Sequence, residues 1–541
     1  MLDQLARCAG AQGEPHPRQE PSSRGLVAHG PVADGPAPHK QRSDRSRRSR
    51  RLRWLIETAL LAAIALLATE TWLVRGLVEP LIVSSGSMAP ALVGPHLRAI
   101  CRDCRAPFEV GIDRELPTRI VCPLCDAIDD EPSTWSRQSG DRLGVLRAAL
   151  WLRRPQRWEA IAFRGAQSTQ EVFVKRIVGL PGEQVQIRDG DVYINGTLAR
   201  KTLAEQRQLA IVVHDERFRP TSQSTLPPRW RPEAERSGWE RVGDTWRHQG
   251  AVPVSAPEAA SDRPRGAPSG SPTGGATTGP PPTATTDADI DWLAYSHWRR
   301  NAGASQSAVL APIDDHLPYN QARPRLLESV QEVGDLLLEC RLRLGSSGQL
   351  VLRATAERAQ FDVTIDLATH TLALHHDGRE VARGALPEGA VEQTSLVEFS
   401  LIDRQVVLAW QGREVLPPYA YELSGPSPAS SSDSSGSPDS ADLDDASRGP
   451  LLAIGSRGAA VEIESLRVLR DTYYLRPRGP AGPSWGCDNA VMLGPDEYFV
   501  LGDNSFVSDD SRTWASGPAV RGEQFLGRPW LFVWPPWSAR R

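Results

Sequence analysis

A basic run followed directly by an apolar run constrains this chain more than any other feature. Residues 40–53 read KQRSDRSRRSRRLR, and Trp54 to Val74 continue as WLIETALLAAIALLATETWLV. Five of those 21 positions are polar or charged (Glu57, Thr58, Thr69, Glu70 and Thr71). They lie toward the two ends, and Ala59 to Ala68 is wholly apolar. As a helix the segment would reach ~32 Å, enough for a ~30 Å hydrocarbon core. The expectation is one transmembrane anchor over 54–74. The unbroken apolar run is short, so an amphipathic or buried soluble helix is the alternative. The Glu and Trp flanks fit an uncleaved anchor better than a cleaved secretory signal. With the basic block ahead of the span, the positive-inside rule puts the N-terminus in the cytoplasm and everything after residue 75 outside. Residues 1–39 are rich in Pro, Gly, Gln, Arg and His with no apolar period, so 1–53 reads as a disordered basic tail.

At 541 residues the chain is too long for one ordinary domain. Its 62 Lys and Arg balance 66 Asp and Glu, which removes the global basic field that nucleic acid would require. Gly and Pro are concentrated in a few segments. Residues 253–287 are Pro/Ser/Thr/Gly low complexity, and with the polar stretch before them 206–287 reads as a linker. Residues 424–449, nearly all Ser, Pro, Asp, Gly and Ala, read as a flexible loop. Between these breaks lie short runs rich in β-branched residues, such as EVFVKRIVGL and EQVQIRDGDVYING, separated by Gly-Asp and Asn-Gly turns. The fold class expected is mainly β. Residues 288–475, with FDVTIDL and SLVEFSLIDRQVVLAWQG among their runs, suggest an antiparallel β-sandwich.

Three separated strings carry chemistry. The first is Ser84-Ser85-Gly86-Ser87-Met88-Ala89-Pro90, directly after the apolar segment. The second is Val174-Lys175-Arg176-Ile177-Val178-Gly179-Leu180-Pro181-Gly182-Glu183. The third is Gly502-Asp503-Asn504-Ser505-Phe506-Val507-Ser508-Asp509-Asp510-Ser511-Arg512. Alone, each has an ordinary reading: a turn, a strand with a solvent-facing lysine, a polar turn closed by an Asp-Arg pair. A serine hydroxyl attacks an amide only if a base removes its proton. No His-Asp pair sits in these strings, so Lys175 is the candidate base. It must be neutral to act, which burial can arrange by lowering its pKa from ~10.4. Val172, Phe173, Val174, Ile177 and Val178 offer a desolvating wall. Ser-Lys is a known variant of triad chemistry.

Together the strings resemble, in order and internal spacing, the boxes of bacterial type I signal peptidases: Ser-x-Ser-Met-x-Pro, Lys-Arg-x-x-Gly-x-Pro-Gly and Gly-Asp-Asn-x-x-x-Ser-x-Asp-Ser-Arg. The resemblance covers about 200 residues, 54–95, 155–200 and 490–535. It implies Ser87 as nucleophile, Lys175 as general base, and Ser85 as a hydroxyl that joins the Ser87 N–H in an oxyanion hole. It further implies Ser508 as the residue orienting the lysine, Asp510 and Arg512 as a structural ion pair, and Met88 as packing behind the nucleophile. The implied enzyme is a membrane-bound serine endopeptidase without a catalytic cofactor. It would cut signal peptides from exported preproteins after small residues, at the outer face of the bacterial inner membrane. Two positions depart from the pattern: Trp158-Glu159 stands for the usual Gly-Asp, and Ser505 for the usual Arg.

Cys101-x-x-Cys104, seventeen residues, then Cys122-x-x-Cys125 has the spacing of a zinc ribbon, with four thiolates around one structural zinc. Two disulfides in an oxidising exterior are the alternative. Cys8, Cys340 and Cys487 carry no readable role. The 288–475 segment resembles a concanavalin-like (laminin-G-like) jelly roll. That implies a glycan or protein ligand, against the plainer reading of a structural insert. The aromatic ending Arg528-Pro-Trp530-Leu-Phe-Val-Trp534-Pro-Pro-Trp537 suits part core, part membrane interface. The expected organisation is thus a tail (1–53), an anchor (54–74), and a catalytic core in three parts (75–98, 131–205, 476–541). A zinc ribbon (99–130), a linker (206–287) and a sandwich (288–475) interrupt that core. Two other functions compete: a membrane-tethered binding protein with an inert protease core, and a self-cleaving repressor, which shares the dyad. The intact Ser87, Lys175 and Ser508 oppose the first. The apolar span and lack of a DNA-binding segment oppose the second.

Overall fold

A computed structural model describes residues 41–70, 77–112, 116–165, 171–221, 226–250, 290–301, 307–321, 330–356, 359–422, 450–477 and 483–531. The chain divides into two units, Met1–Glu70 and Thr71–Arg541. In the first, one helix runs Gln41–Ala68. It starts inside the segment expected to be disordered, because the Arg-rich run consists largely of good helix formers and continues the apolar segment without a break. No helix among the described residues is long and apolar enough to cross a membrane. The wholly apolar stretch Ala59–Ala68 spans only ~15 Å as helix, and residues 71–74 of the expected span lie outside the described residues. So do the tail before residue 41, the low-complexity tract 253–287, the whole of the 424–449 loop, and Trp534 and Trp537 of the aromatic ending.

The second unit is mainly β. A seven-stranded sheet runs, edge to edge, Val78–Ile82, Arg142–Leu146, Phe525–Leu531, Ala160–Arg164, Val172–Gly179, Glu497–Leu501, Val520–Arg521. Strands from three distant parts of the sequence therefore share one sheet. Val172–Gly179 is paired on both sides, with Lys175 opposite Ile161 and Arg176 opposite Leu501. Its side chains are buried from Lys175 to Gly179. This removes the solvent face that an ordinary strand lysine uses. A four-stranded sheet of Thr197–Leu198, Asp191–Ile194, Gln184–Arg188 and Val491–Met492 packs Val185, Ile187 and Val192 with Phe499 and Leu501 of the first.

Two hairpins lie between Ser87 and Lys175. His96–Ile100 pairs with Pro107–Gly111 and with Ser136–Gln138, and Ile120–Val121 pairs with Ile128–Asp129. The strands around the paired cysteines thus reach from His96 to Gln138, beyond the 99–130 expected for this insert.

The sandwich is also larger than its sequence suggests. Its nine-stranded sheet is centred on Ala460–Arg470, Leu336–Leu344 and Ser395–Ile402. Leu338 and Leu342 from that sheet share one core with Phe361 and Ile365 from the opposing strands. The stretch 206–249, expected to be linker, supplies four strands to it. Ile211–Asp215 and Thr245–Gln249 pair with Ala460–Arg470, Trp239–Val242 extends that edge, and Trp230–Pro232 pairs with Asp291–Tyr295. The physical reason is alternation: Trp246 and His248 point inward while Arg247 and Gln249 face out. Such strands look polar by composition although one face is fully buried.

Candidate active site

The first chemical string forms a turn after Val78–Ile82, the second is the buried strand Val172–Gly179, and the third is the loop after Glu497–Leu501. The fold brings all three together. A Cβ placed on Gly502 would lie 2.2 Å from Ser508 Oγ and 2.5 Å from the Ser87 carbonyl oxygen, so only glycine lets these loops meet. The Asn504 N–H donates to the Ser87 carbonyl at 3.1 Å, and its side chain donates to the Gly86 carbonyl at 2.9 Å.

Lys175 is 2% exposed, and its Nζ donates to Ser508 Oγ at 3.0 Å. Burial pushes its pKa down to about 8. Asp510 and Asp509 oppose that shift, and Arg512 reinforces it. Two Arg-carboxylate pairs frame the lysine. Arg512 holds Asp510 through Nε and Nη2 at 2.9 and 2.8 Å, both residues fully buried. Asp510 in turn accepts from the Gly502 N–H at 3.0 Å, which fixes the loop behind Ser508. Arg176, one residue after the lysine, makes a bidentate pair with Asp503 at 2.7 and 2.6 Å. Successive strand residues point to opposite faces, which separates Arg176 from Lys175. The Ser85 hydroxyl is exposed, 3.4 Å from Ser87 Oγ. Met88 is buried beneath the turn.

The two departures from the expected pattern have structural counterparts. Ser505 Oγ accepts from Arg512 Nη1 at 2.6 Å and from the Leu475 N–H at 2.7 Å, so the smaller residue joins the Arg512 shell. Trp158 is buried in the left-handed region (φ 66°), and its carbonyl accepts from Arg176 Nη1 at 2.6 Å. Sequence reasoning gave no role to Asn504, Tyr319, Asn320 or Gln321. Asn504 sat within a quoted string. The other three lie deep in the inserted segment, with no local signal.

The four paired cysteines converge as a second centre. Their sulfurs all lie within 4.8 Å of one another, and all four residues are buried. Cys101–Cys125 and Cys104–Cys122 Sγ separations are 3.6 and 3.5 Å, far beyond a ~2.05 Å disulfide. None of the four is in a disulfide, nor are Cys340 in the sandwich core and the half-buried Cys487. Each pair sits in the same turn. The N–H of Arg105 reaches the Cys101 carbonyl, and that of Asp126 reaches the Cys122 carbonyl. Both turn residues take positive φ, 65° and 54°. Tetrahedral zinc with ~2.3 Å bonds needs sulfurs ~3.8 Å apart, so the donor set fits the metal.

Residues 52–229 match a family model described as signal peptidase, peptidase S26. This span holds Ser87, Lys175 and the four cysteines, and ends before Ser508. A probable signal peptidase I-2 of Synechocystis sp. is 38% identical over 66 residues, 11% of this chain and 30% of that protein. Signal peptidase I of Rickettsia massiliae is 29% identical over 70 residues, 13% of this chain and 26% of that protein. The chain thus aligns with less than a third of the length of these curated relatives. Both comparisons support a signal-peptidase hydrolase. Among solved structures, the exoplasmic/lumenal domain of VIP36 matches at 7% identity and TM-score 0.22, covering 47% of this chain and 86% of that chain.

Proposed function

We propose that this chain is a membrane-tethered serine endopeptidase that removes signal peptides from exported preproteins. Ser87 is the nucleophile and Lys175 the general base. The observation that carries the reading is Lys175 itself: a buried lysine, hydrogen-bonded to Ser508, with a pKa of about 8, on the strand beside the loops that hold Ser87. Neutral Lys175 takes the proton from Ser87 Oγ as that oxygen bonds the scissile carbonyl carbon. The Ser87 N–H and the Ser85 hydroxyl donate to the oxyanion, a contribution of roughly 3 kcal/mol per donor. As the C–N bond breaks, Lys175 returns the proton to the leaving amine. It then deprotonates the water that releases the acyl group from Ser87. Ser508 holds the ammonium in place between these steps, and the Asp510–Arg512 pair keeps the Ser508 loop rigid.

The protease core is assembled from three parts of the chain, interrupted by the ribbon and the sandwich. Cys101, Cys104, Cys122 and Cys125 hold one structural zinc, and no step of the reaction passes through it. The basic block and apolar segment before residue 75 tether the enzyme, with the catalytic region outside the cytoplasm. Exposed apolar side chains on or beside the first sheet suit the same lipid surface: Ile82, Trp151, Leu152 and Trp530 are 62%, 77%, 86% and 58% exposed. The test is cleavage of a signal-peptide-bearing preprotein by the full chain in lipid. Ser87→Ala and Lys175→Ala should each be inactive yet folded. Wild-type turnover by either would overturn the assignment.

A further inference from the structure

The inserted sandwich unit reaches into the active site through three consecutive residues. Pro318–Asn320 forms a short 3-10 turn, and Tyr319 and Asn320 are each 5% exposed. The Tyr319 ring lies against two glycines. A Cβ on Gly86 would fall 2.2 Å from Tyr319 Cε1, and one on Gly111 would fall 2.3 Å from the same atom. Gly86 does not adopt a positive φ, so glycine is required there for room rather than for backbone conformation. Gly86 immediately precedes Ser87, and Gly111 ends a ribbon strand. The Tyr319 hydroxyl donates to the Pro95 carbonyl at 3.1 Å, and its ring packs with Ala89 and Val93.

Asn320 makes a reciprocal amide pair with Asn504. Its Nδ2 donates to Asn504 Oδ1 at 2.9 Å, and Asn504 Nδ2 donates back at 2.8 Å. The other Asn504 Nδ2 hydrogen goes to the Gly86 carbonyl, and the Asn504 backbone N–H goes to the Ser87 carbonyl. Both asparagines are buried, and among the described residues these are the partners their side chains find. Remove Asn320 and Asn504 keeps an unpaired amide oxygen and N–H in a buried site, which favours a different side-chain orientation and release of Gly86. Gln321, next in the chain, hydrogen-bonds the Val121 N–H and carbonyl at 2.5 and 2.6 Å. Val121 precedes Cys122, so one loop grips the nucleophile turn, the Asn504 loop and the ribbon.

We propose that Tyr319 and Asn320 are positioning residues for the nucleophile turn. On this view the sandwich is a working part of the protease, required to hold Ser87 Oγ and the oxyanion donors in register. The inference rests on the Ser87–Lys175 reading and deepens it. Neither residue is among the groups that set the Lys175 pKa or its bond to Ser508, so the loss should fall on the turnover step and not on the base. A displacement of about 1 Å in a nucleophile lowers rate by about 100-fold.

The experiment uses the full chain in lipid with a preprotein substrate. Asn320→Ala should lower kcat by 10- to 100-fold, leave KM within about threefold, and leave the acid limb of the pH profile where the wild type has it. Tyr319→Phe, which keeps the ring, should retain most activity. The second arm is a double-mutant cycle. Gly86→Ala should nearly abolish turnover. In the Tyr319→Ala background the same change should raise it, because the added methyl enters the space the ring leaves. Wild-type kcat in Asn320→Ala, or a change confined to KM, overturns the proposal. So does additivity in the Gly86/Tyr319 cycle, which decides the matter if Asn320→Ala does not fold. If Ser87→Ala remains active, the underlying dyad has failed instead. A dead Ser87→Ala alongside a fully active Asn320→Ala isolates the failure to the clamp.

Discussion

Lys175 is a residue whose placement opposes folding. Burial disfavours its ammonium, so the folded pKa, about 8, lies below the ordinary lysine value of 10.5. The unfolded chain therefore binds the proton more readily between those values. Stability falls as pH drops from 10.5 to 8, then levels off. The difference corresponds to roughly 3 kcal/mol at neutral pH. Lys175→Met removes this penalty and gives up one hydrogen bond to Ser508, worth about 1 kcal/mol. The variant should be inactive and more stable at pH 7 by roughly 2 kcal/mol, with the gain lost above pH 10.5. Urea unfolding at both pH values checks this, and destabilisation at pH 7 would show that the native ammonium is well paired and that its burial carries no net penalty. Lys175→Arg should also be inactive, since a guanidinium stays protonated.

At the scale of elements, the ribbon is a small unit whose core includes the cysteines themselves, with Ile120, Phe108 and Val110 around them. Metal binding there is folding free energy. One zinc per chain should appear in elemental analysis, and Cys122→Ser should lose it. Because Val121 is bound by Gln321, the same variant should also lose activity although no cysteine touches the dyad. Full activity in a zinc-free protein would uncouple the two. The convergence of the four cysteines was readable in the sequence because their spacing is a local property. The three chemical strings were readable for the same reason, and the lysine strand was readable from its apolar flanks. The strands between Ile211 and Gln249 were not. Their outward faces carry Arg231, Glu240, Arg247 and Gln249, and the inward tryptophans resemble stray aromatics until the partner strand Ala460–Arg470, more than two hundred residues away, is known.

For the whole molecule, the core and the sandwich are joined by buried charge. Lys201 follows Thr197–Leu198, an edge strand of the core's second sheet. Its Nζ reaches Asp403 and Asp471 of the sandwich at 2.5 and 2.9 Å and lies 4.7 Å from the centre of the Trp158 ring. Burial disfavours this ammonium, but Asp471 and Asp403 outweigh burial and hold its pKa well above the usual lysine range. Lys201→Met would leave two buried carboxylates without their cation, a destabilisation of about 3–5 kcal/mol, readable as a fall in Tm with no shift in the pH limb of activity. A loss below 1 kcal/mol would mean that the seam is held by packing alone. This join, like the contacts of Tyr319 and Asn320, was invisible in the sequence, because its partners are set by how the insert docks. If one neutral lysine activates Ser87, the pH dependence of kcat/KM on a preprotein carries its signature. Activity should rise with pH through a single limb near 8, absent in Ser87→Ala and Lys175→Ala. A limb at ~6.5 that vanishes when a histidine is replaced, with Lys175→Ala still cleaving, would overturn the lysine mechanism.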